Sequence, residues 1–560
     1  MDLLQPRAKK GFGLPEAIIF IGYCLILAWC IPRHESWFDE AQAWLIARDS
    51  TLTDLLLHRL HYEGAPALWH LILWLEVRLH ISFLGMHYIS GLIAAAGIFV
   101  WLRFNPLPRI ISLLMPFTFF LQYQYAIVAR SYCLVPMLVF LLMALYQNRK
   151  SNLIVFCVVA GLLINCSLHS AALAAGLIVF YAIDRLQLLR QNAAPVRFRT
   201  FAVPAVILLL SFIVSAAVAR PTADGSFGNL IVNKIRQADN SVSIQKHFQT
   251  NDTPPPFLPP PHQSHTAQVV WNILYPAAGS SPRKMFLATT MKHTLLLLAA
   301  LTAPIAVSNI LALLFLALLA INLSQQHLWA SLIPYALALF AFLIVFGASH
   351  HLGLLWIGLL CSLWALSLQP VPVGSGGLMR QILYAVTLLI VVLQIGWSAY
   401  CLHADFYGSY SDSKATAEFL EEHPVNGCIA AFGPSSIAIN AYLNKLPYCN
   451  QSHSYWPMSK SLDPGLFVVQ EMAQRPAMVV AEENIFDSPF ENQWFPVFPP
   501  GSPQIDPVDG TRLLVQGGYH ETHRFCGEHF FRNAPEFTGC SVIYERSTVA
   551  ASTAPATAVP

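Results

Sequence analysis

The stretch EAIIFIGYCLILAWCIP, residues 16–32, is almost uniformly apolar and long enough to cross the ~30 Å hydrocarbon core of a bilayer. It follows Arg7, Lys9 and Lys10, so its start has the charge pattern of a signal peptide. Its end, at residues 29–33, lacks a small-x-small cleavage site, and many further apolar runs follow. We therefore expect an uncleaved first transmembrane helix.

Composition assigns the whole chain to the polytopic membrane proteins. Of its 560 residues, 55% are hydrophobic and 11% are charged, whereas about 25% of the residues of a soluble domain are charged. The net charge of +2 creates no global field that would attract nucleic acid. No Walker-type or Gly-x-Gly-x-x-Gly loop stands between a predicted strand and a helix. These observations argue against nucleic-acid binding and nucleotide-driven chemistry.

Apolar runs of about twenty residues, the length that a bilayer requires, predict an α-helical fold with about eleven transmembrane helices. The stretch 66–79 is predicted to form an interfacial or re-entrant helix instead of crossing, because it carries His70, Glu76 and Arg78 and because a crossing there would invert every later loop. The predicted spans lie near residues 16–32, 83–102, 107–122, 131–147, 152–166, 168–186, 199–219, 294–322, 326–346, 350–369 and 379–401.

The distribution of Lys and Arg over the short loops predicts the orientation. These residues concentrate at the N-terminus and in alternate connections, which we assign to the cytoplasm, whereas the opposite short connections contain only Arg130. This topology contains a first outward loop at 33–82 and a long outward loop at 220–292. The Pro-rich centre of the long loop, 254–261, favours a stiff polyproline II spacer, with a lid over the membrane face as the alternative. The C-terminus then lies outside the plasma (inner) membrane.

Polar sequence after the last span predicts a soluble extracytoplasmic domain at 403–548, following a membrane domain at 1–402. A helix at 413–422 and short strands at 428–432 and 477–481 indicate α/β packing.

The composition of the C-terminal part carries two further expectations. Residues 549–560 are rich in Ala, Thr and Pro and are expected to be a disordered tail. Four cysteines of the soluble domain permit two disulfides in any of three pairings, and buried free thiols are the alternative. They are Cys428, Cys449, Cys526 and Cys540.

The acidic pair Asp39-Glu40 is the leading candidate for catalysis. It follows the first span directly, in WFDEAQAW at 37–44, so the predicted topology places both carboxylates outside, at the membrane surface. The sequence at 41–49 predicts an amphipathic interfacial helix, whose first turn would favour acidic residues. The alternative is that the pair only caps this helix.

Further polar residues gather at the same predicted outward side. An Arg at the start of a span commonly extends to lipid headgroups, but its guanidinium can also bind a phosphate through two hydrogen bonds. Adjacent histidines resemble half of a metal site, although they more often mark a polar helix end. The candidates for substrate binding are Glu63, Arg130, Tyr132, His169, Lys284, His350 and His351.

The first outward loop resembles that of GT-C superfamily glycosyltransferases, in particular the protein O-mannosyltransferase and lipid A aminoarabinose transferase group. The likeness rests on Asp39-Glu40 after the first span, on the helix that follows, and on YEGAPALWH at 62–70. The helix start at residues 130–132 and the segment at 165–169 are also similar to bacterial members of the group. The similarity covers roughly residues 14–402.

The resemblance implies an inverting transfer of a sugar from a polyprenyl-phosphate donor to a glycan, lipid or protein acceptor in the extracytoplasmic space. Asp39 would be the general base that takes the proton of the acceptor hydroxyl. Glu40 would position the acceptor, assist the base or help to hold a metal ion. No cofactor is required, although the acids and histidines permit a divalent metal. The departing lipid phosphate would be stabilised by Arg130, Lys284, His350 and His351.

A transporter or flippase of lipid-linked saccharides is the main alternative. It predicts charged residues deep in the spans, and no predicted span carries Lys, Arg, Asp or Glu near its middle. A non-catalytic scaffold is a further alternative, and it predicts that Asp39 can be replaced without consequence. We therefore rank glycosyl transfer first.

Overall fold

The computed structural model describes residues 11–148, 153–191, 199–220, 222, 308–344, 351–372, 374–433, 435–451, 453–457, 475–483, 514, 517–527 and 539–546. These residues form two compact units. The helical unit contains the described residues up to His34 and those of Ser50–Gly408, and the α/β unit contains Glu35–Asp49 and the described residues from Ser409 onward. The tail at 549–560 and the long loop beyond Thr222, including its Pro-rich centre, lie outside the described residues.

Helices form most of the described chain. In order they are α1 (Leu14–Cys30), α2 (Phe38–Asp49), α3 (Leu52–Asp54), α4 (Leu60–Glu63), α5 (Leu68–Arg78), α6 (Phe83–Phe104), α7 (Arg109–Leu114), α8 (Leu134–Gln147), α9 (Leu153–Ile164), α10 (Leu168–Gln191), α11 (Arg199–Val218), α12 (Ser308–Gln325), α13 (Ile333–Ile344), α14 (Leu352–Ser367), α15 (Ser375–Tyr407), α16 (Ser413–Glu422) and α17 (Ser435–Asn440). Short 3-10 turns occur at Ile31–Arg33, Met115–Phe117, Ser131–Cys133 and Trp329–Leu332, and π-helical segments at Leu55–Arg59 and Phe119–Ile127.

Within the described residues, six helical segments are long and apolar enough to cross a membrane. They are Leu14–Arg33, Phe83–Phe104, Arg109–Ile127, Leu168–Gln187, Phe201–Val218 and Ser375–Tyr407. Shorter apolar helices overlap the other predicted spans, at Ser131–Gln147, Leu153–Ile164, Ile310–Gln325, Trp329–Phe342 and Leu352–Ser367.

The outer faces of these helices are apolar. Leu25 of α1 is 64% exposed and Leu209 of α11 is 60% exposed. Exposing apolar surface to water is unfavourable by ~25 cal/mol per Å², so faces of this kind favour a lipid environment. By contrast, α14 is buried along its whole length and lies in the core of the helical unit. The chain therefore has the features of a membrane-embedded helical protein.

The predicted third span, 107–122, is not one regular helix. α7 ends at Leu114 and gives way to a 3-10 turn and then to the π-helical segment Phe119–Ile127. Pro116 has no N–H to donate, which interrupts the α-helical hydrogen-bond pattern at this point. The helical path consequently extends to Ile127 with altered twist, a feature that is often found near functional sites.

Glycines allow close approach between helices of the helical unit. A Cβ built on Gly176 of α10 would lie 2.4 Å from the Cα of Pro334 in α13. A Cβ on Gly97 of α6 would lie 2.9 Å from the backbone of Met137 in α8. Small residues at such crossings permit the close packing that holds membrane helices together. The α10–α13 crossing matters most here, because both helices carry residues of the candidate site.

The α/β unit contains a four-stranded sheet in the order β1-β2-β4-β3. β1 is parallel to β2, whereas β4 pairs antiparallel with both β2 and β3. The core beside the sheet joins α16 and α17 to β1 and β2 through buried side chains such as Leu420 and Ile439. The predicted helix at 413–422 and both predicted strands are confirmed to within one residue. The strands are β1 (Ile429–Phe432), β2 (Met478–Glu482), β3 (Tyr519–Gly527) and β4 (Gly539–Arg546).

All four cysteines of this unit are disulfide-bonded. Cys428 pairs with Cys449, with Cα atoms 5.6 Å apart. Cys526 of β3 pairs with Cys540, its register partner on β4, with Cα atoms 4.0 Å apart. The sequence permits three pairings, and the structure contains the one that joins Cys428 to Cys449 and Cys526 to Cys540.

α2, which was predicted to be an amphipathic interfacial helix, is built into the α/β unit. The side chain of Gln42 donates a hydrogen bond to Trp456 O (2.7 Å) and accepts one from Trp456 N (2.9 Å). Arg48 Nη1 donates to Leu443 O (3.1 Å). The residues at 41–47 are all buried, so α2 presents no exposed apolar stripe to a bilayer. The position of α2 is determined by tertiary hydrogen bonds to residues some 400 positions away. The local sequence pattern of the helix does not indicate these bonds.

Candidate functional site

Asp39 and Glu40 lie in the first turn of α2. Glu40 is the third residue of the helix, and its Oε2 accepts a hydrogen bond from the backbone N of Trp37, just before the helix (3.1 Å). This bond is one half of a capping box, and Glu40 is 1% exposed. Glu40 therefore has the structural role that was the alternative for the pair. Asp39 is half-buried and is the better candidate for contact with a substrate.

The backbone that leads into α2 is held within the α/β unit. Ser36 N donates to the hydroxyl of Tyr442 (3.0 Å), and Ser411 Oγ donates to Ser36 O (3.0 Å). Burial raises the pKa of Tyr442, so its phenol stays neutral and continues to accept this bond at physiological pH. These contacts fix the approach to the helix that carries Asp39.

Four of the predicted binding residues meet in the helical unit. We call this group, consisting of Arg130, Tyr132, His169 and His351, the Arg130 cluster. The Cζ atom of Arg130 lies 5.6 Å from the ring centroid of Tyr132. The Tyr132 ring meets that of His351 edge to face at 5.3 Å, and His351 stacks on His169 at 4.3 Å. Three predicted outward connections thus contribute to one group.

Aromatic packing holds the cluster in place. Tyr125 stacks on Tyr132 with centroids 5.7 Å apart, and Phe342 of α13 stacks on His169 at 4.8 Å. A Cβ at Gly353 would lie 2.5 Å from the hydroxyl of Tyr125, so only glycine allows this approach. Ser167 caps α10 by accepting a hydrogen bond from Ser170 N (3.0 Å), which fixes the helix start that carries His169.

The chemistry of the Arg130 cluster suits an anionic ligand. It combines a permanent positive charge with a phenol and two imidazoles. Tyr132, His169 and His351 are buried, while Arg130 is half-buried. A planar guanidinium recognises phosphate or carboxylate by paired hydrogen bonds, and partial burial strengthens such charge-assisted bonds.

The other predicted binding residues lie elsewhere. Glu63 is the last residue of α4 and is half-buried. The helix ends there because Gly64 adopts the left-handed conformation, with φ of 60°. Lys284 and His350 lie outside the described residues.

α5 corresponds to the helix predicted at 66–79. It is a helix of the expected short length, but His70 and Glu76 are buried, at 5% and 3% exposure. Burial lowers the pKa of His70 to about 4 and raises that of Glu76 to about 7. At the end of the helix, Arg78 Nη2 donates to Ser50 O (2.9 Å). His70 and Glu76 thus face the protein, whereas Arg78 is exposed, and local hydropathy does not reveal this difference.

A further group in the helical unit was not predicted from the sequence. His34 Nδ1 lies 3.0 Å from Asp405 Oδ2, and the hydroxyl of Tyr123 donates to Asp405 Oδ1 (3.1 Å). The ring of His87 lies 6.0 Å from that of His34. His34 and Asp405 are 371 positions apart, and α15 extends past the predicted end at 401 to include Asp405. The available signal was only that each of these residues is a polar interruption at the end of an apolar run.

Comparison of the chain with family models, with curated proteins and with solved structures found no match. The functional argument therefore rests on the chemistry and geometry of the described residues.

Proposed function

We propose that the chain is an integral-membrane glycosyltransferase of the GT-C type, which moves a sugar from a polyprenyl-phosphate donor to an acceptor outside the cytoplasm. The observation that supports this proposal best is the Arg130 cluster. A polyprenyl-phosphate donor keeps its phosphate whatever sugar it carries. A guanidinium beside a buried tyrosine ring that packs against an imidazole suits this phosphate. The acceptor is a glycan, a lipid or a protein.

The proposed reaction inverts the anomeric centre. The oxygen of the acceptor hydroxyl attacks the anomeric carbon, and the bond from that carbon to the phosphate oxygen breaks with its electron pair leaving on the lipid phosphate. Asp39 takes the hydroxyl proton, and the Arg130 cluster stabilises the departing anion. Glu40 holds the helix start that carries Asp39. Because Asp39 belongs to the α/β unit and Arg130 to the helical unit, separate variants test the two roles.

The topology that accompanies this proposal has eleven spans, a cytoplasmic N-terminus and an extracytoplasmic α/β unit in the plasma (inner) membrane. The charge distribution over the short loops supports the orientation. The two disulfides support it independently, because such bonds persist in oxidising compartments and are rare in the cytosol.

A binding experiment with a matched control tests the phosphate role. Purified full-length protein in nanodiscs is titrated with undecaprenyl phosphate, comparing the wild type with Arg130→Ala and Arg103→Ala. Arg103 is also a half-buried arginine, with its Cζ 5.1 Å from the ring of Phe104. Loss of a charge-assisted hydrogen bond costs ~1.5–3 kcal/mol of binding free energy. Arg130→Ala should therefore bind undecaprenyl phosphate ~10-fold to 100-fold more weakly than the wild type. Arg103→Ala should bind it with wild-type affinity.

A transfer assay then separates catalysis from transport. The wild type should release labelled sugar from at least one undecaprenyl-phosphate monosaccharide onto an acceptor in a cell-envelope extract. Equal lipid-phosphate affinity of wild type and Arg130→Ala would contradict the phosphate role. Movement of labelled donor across a vesicle membrane without any transfer would support the transporter alternative instead.

A further inference from the structure

His34, His87, Tyr123 and Asp405 form a buried polar group in the helical unit. His34 is 5% exposed and His87 is 2% exposed. Buried polar and ionisable side chains are uncommon unless they are paired or serve a function. The sequence-based function assigns no role to any of these residues.

The hydrogen bonds of the two histidines define their tautomers. His87 Nδ1 lies 3.3 Å from the carbonyl oxygen of Phe83, which can only accept, so Nδ1 carries the proton. His34 Nδ1 lies 3.0 Å from a carboxylate oxygen of Asp405, which also accepts. In the neutral form of each ring the lone pair is therefore on Nε2. Nε2 with a fixed Nδ1–H is a common form of histidine as a metal ligand.

The spacing of the two rings suits a single ion. A ring nitrogen of His34 and one of His87 lie within 4.8 Å of each other, and the ring planes are inclined by 56°. Two nitrogens that bind one zinc ion tetrahedrally at ~2.1 Å each lie ~3.4 Å apart. A bound ion would draw the two nitrogens to that separation.

Asp405 supplies the outer contact that histidine ligands of metals usually have. A carboxylate that accepts the Nδ1–H bond orients the imidazole and increases its basicity. Tyr123 in turn holds Asp405 through the hydrogen bond to Oδ1 (3.1 Å). We propose that His34 and His87 bind a divalent transition-metal ion of the zinc class, with Asp405 as a positioning residue. Imidazole nitrogen suits Zn²⁺, and oxygen donors would complete the coordination. The proposal does not depend on glycosyl transfer.

Metal binding is measured directly on the full-length chain. The protein is purified in detergent with a tag that contains no histidine, stripped with a chelator, and titrated with Zn²⁺ and with Co²⁺ as a spectroscopic substitute. The expected result is one ion bound per chain and a visible Co²⁺ absorption band of imidazole coordination. Saturable binding should also raise the thermal midpoint, because a ligand of the folded state stabilises it.

Three variants make the test specific. His87→Gln leaves the His34–Asp405 contact intact and should weaken Zn²⁺ binding by ~100-fold or more, since even loss of an outer partner costs 10-fold to 100-fold. Asp405→Asn should weaken it by ~10-fold. His403→Gln, an exposed histidine on the same helix as Asp405, should bind as the wild type does. No saturable Zn²⁺ or Co²⁺ binding by the wild type, or unchanged binding by His87→Gln, would overturn the proposal.

Discussion

His169 and His351 stack on each other with ring centroids 4.3 Å apart and ring planes inclined by 30°. His169 is the second residue of α10, and His351 stands immediately before α14. Phe342 stacks against His169, and Tyr132 meets His351 edge to face. Aromatic neighbours therefore determine the orientation of both imidazoles. Because of this, a variant can keep the ring shape of His351 while it removes the ring nitrogens that form hydrogen bonds.

Replacing His351 by phenylalanine should separate these two properties. The phenyl ring would keep an aromatic group between His169 and Tyr132, so the thermal midpoint should stay within a few degrees of the wild type. The loss of ring nitrogens should weaken binding of undecaprenyl phosphate by ~10-fold. His351→Ala should reduce both stability and affinity. Isothermal titration and thermal unfolding measure the two quantities, and full affinity in His351→Phe would remove His351 from the phosphate site.

Gly176→Ala should loosen the α10–α13 crossing. The added Cβ would lie 2.4 Å from Pro334 Cα, so the two helices must move apart. We expect this change to lower the free energy of unfolding by ~1–3 kcal/mol. Gly22→Ala in α1 is the matched control, because a Cβ there meets nothing within 4 Å. This control should be as stable as the wild type or slightly more so, since Ala favours a helix. Denaturant titration of the purified proteins compares them, and equal stability of all three would contradict the close packing.

The disulfides predict a specific pattern of thiol reactivity. In protein denatured without reductant, an alkylating reagent should modify the free thiols of the helical unit, such as Cys133 and Cys361, but none of the four cysteines of the α/β unit. After reduction it should modify those four as well, as peptide mass spectrometry can show. Free thiols at Cys526 and Cys540 in protein taken directly from cells would contradict an extracytoplasmic α/β unit.

Asp412 should make the stability of the α/β unit depend on pH. Burial raises its pKa from 3.8 to about 6. The folded state then holds a proton that the unfolded state has lost, so stability falls as pH rises from about 4 to about 6 and stays reduced above that. The difference corresponds to ~3 kcal/mol.

Asp412→Asn should remove this loss, since its side chain carries no charge at any of these pH values. Hydrogen exchange of peptides from α16 and β1 should be slower in the variant than in the wild type at pH 8, and equal at pH 4. Glu418→Gln, an exposed change on α16, the helix that directly follows Asp412, should leave exchange unaltered. A difference between wild type and Asp412→Asn that is the same at both pH values would exclude titration of Asp412 as its cause.

Composition was sufficient to predict where the helices of the membrane part lie. An apolar run of bilayer length has few alternatives to a helix, because its backbone groups need internal hydrogen bonds. Described helices overlap each of the predicted spans, including α12, whose predicted start lies outside the described residues. The irregular segment around Pro116 shows the limit of this prediction. A proline indicates that the helix is interrupted, but it does not indicate the π-helical segment that follows.

The candidate residues were predictable only in part, for a physical reason. Arg130 and His351 could be selected because predicted topology puts them at span ends, but their contact through Tyr132 depends on how three helices pack. The placement of α2 depends on bonds such as that from Gln42 to Trp456, 414 positions away. Similarly, the His34–Asp405 contact joins the segment just after α1 to the end of α15. Hydropathy records whether a residue is polar and does not record its tertiary partner.

Asp39 is the residue on which the proposed transfer chemistry depends most. The initial rate of transfer from labelled undecaprenyl-phosphate monosaccharides should be compared among the wild type, Asp39→Asn and Asp54→Asn. Asp54 is a control carboxylate outside the proposed site, in a half-buried pair with Arg59 (2.8 Å). We predict that Asp39→Asn lowers the rate by ~10²-fold to 10⁴-fold with unchanged affinity for undecaprenyl phosphate, and that Asp54→Asn retains the wild-type rate. Transfer by Asp39→Asn at the wild-type rate, or no transfer of any sugar by the wild type, would contradict the account.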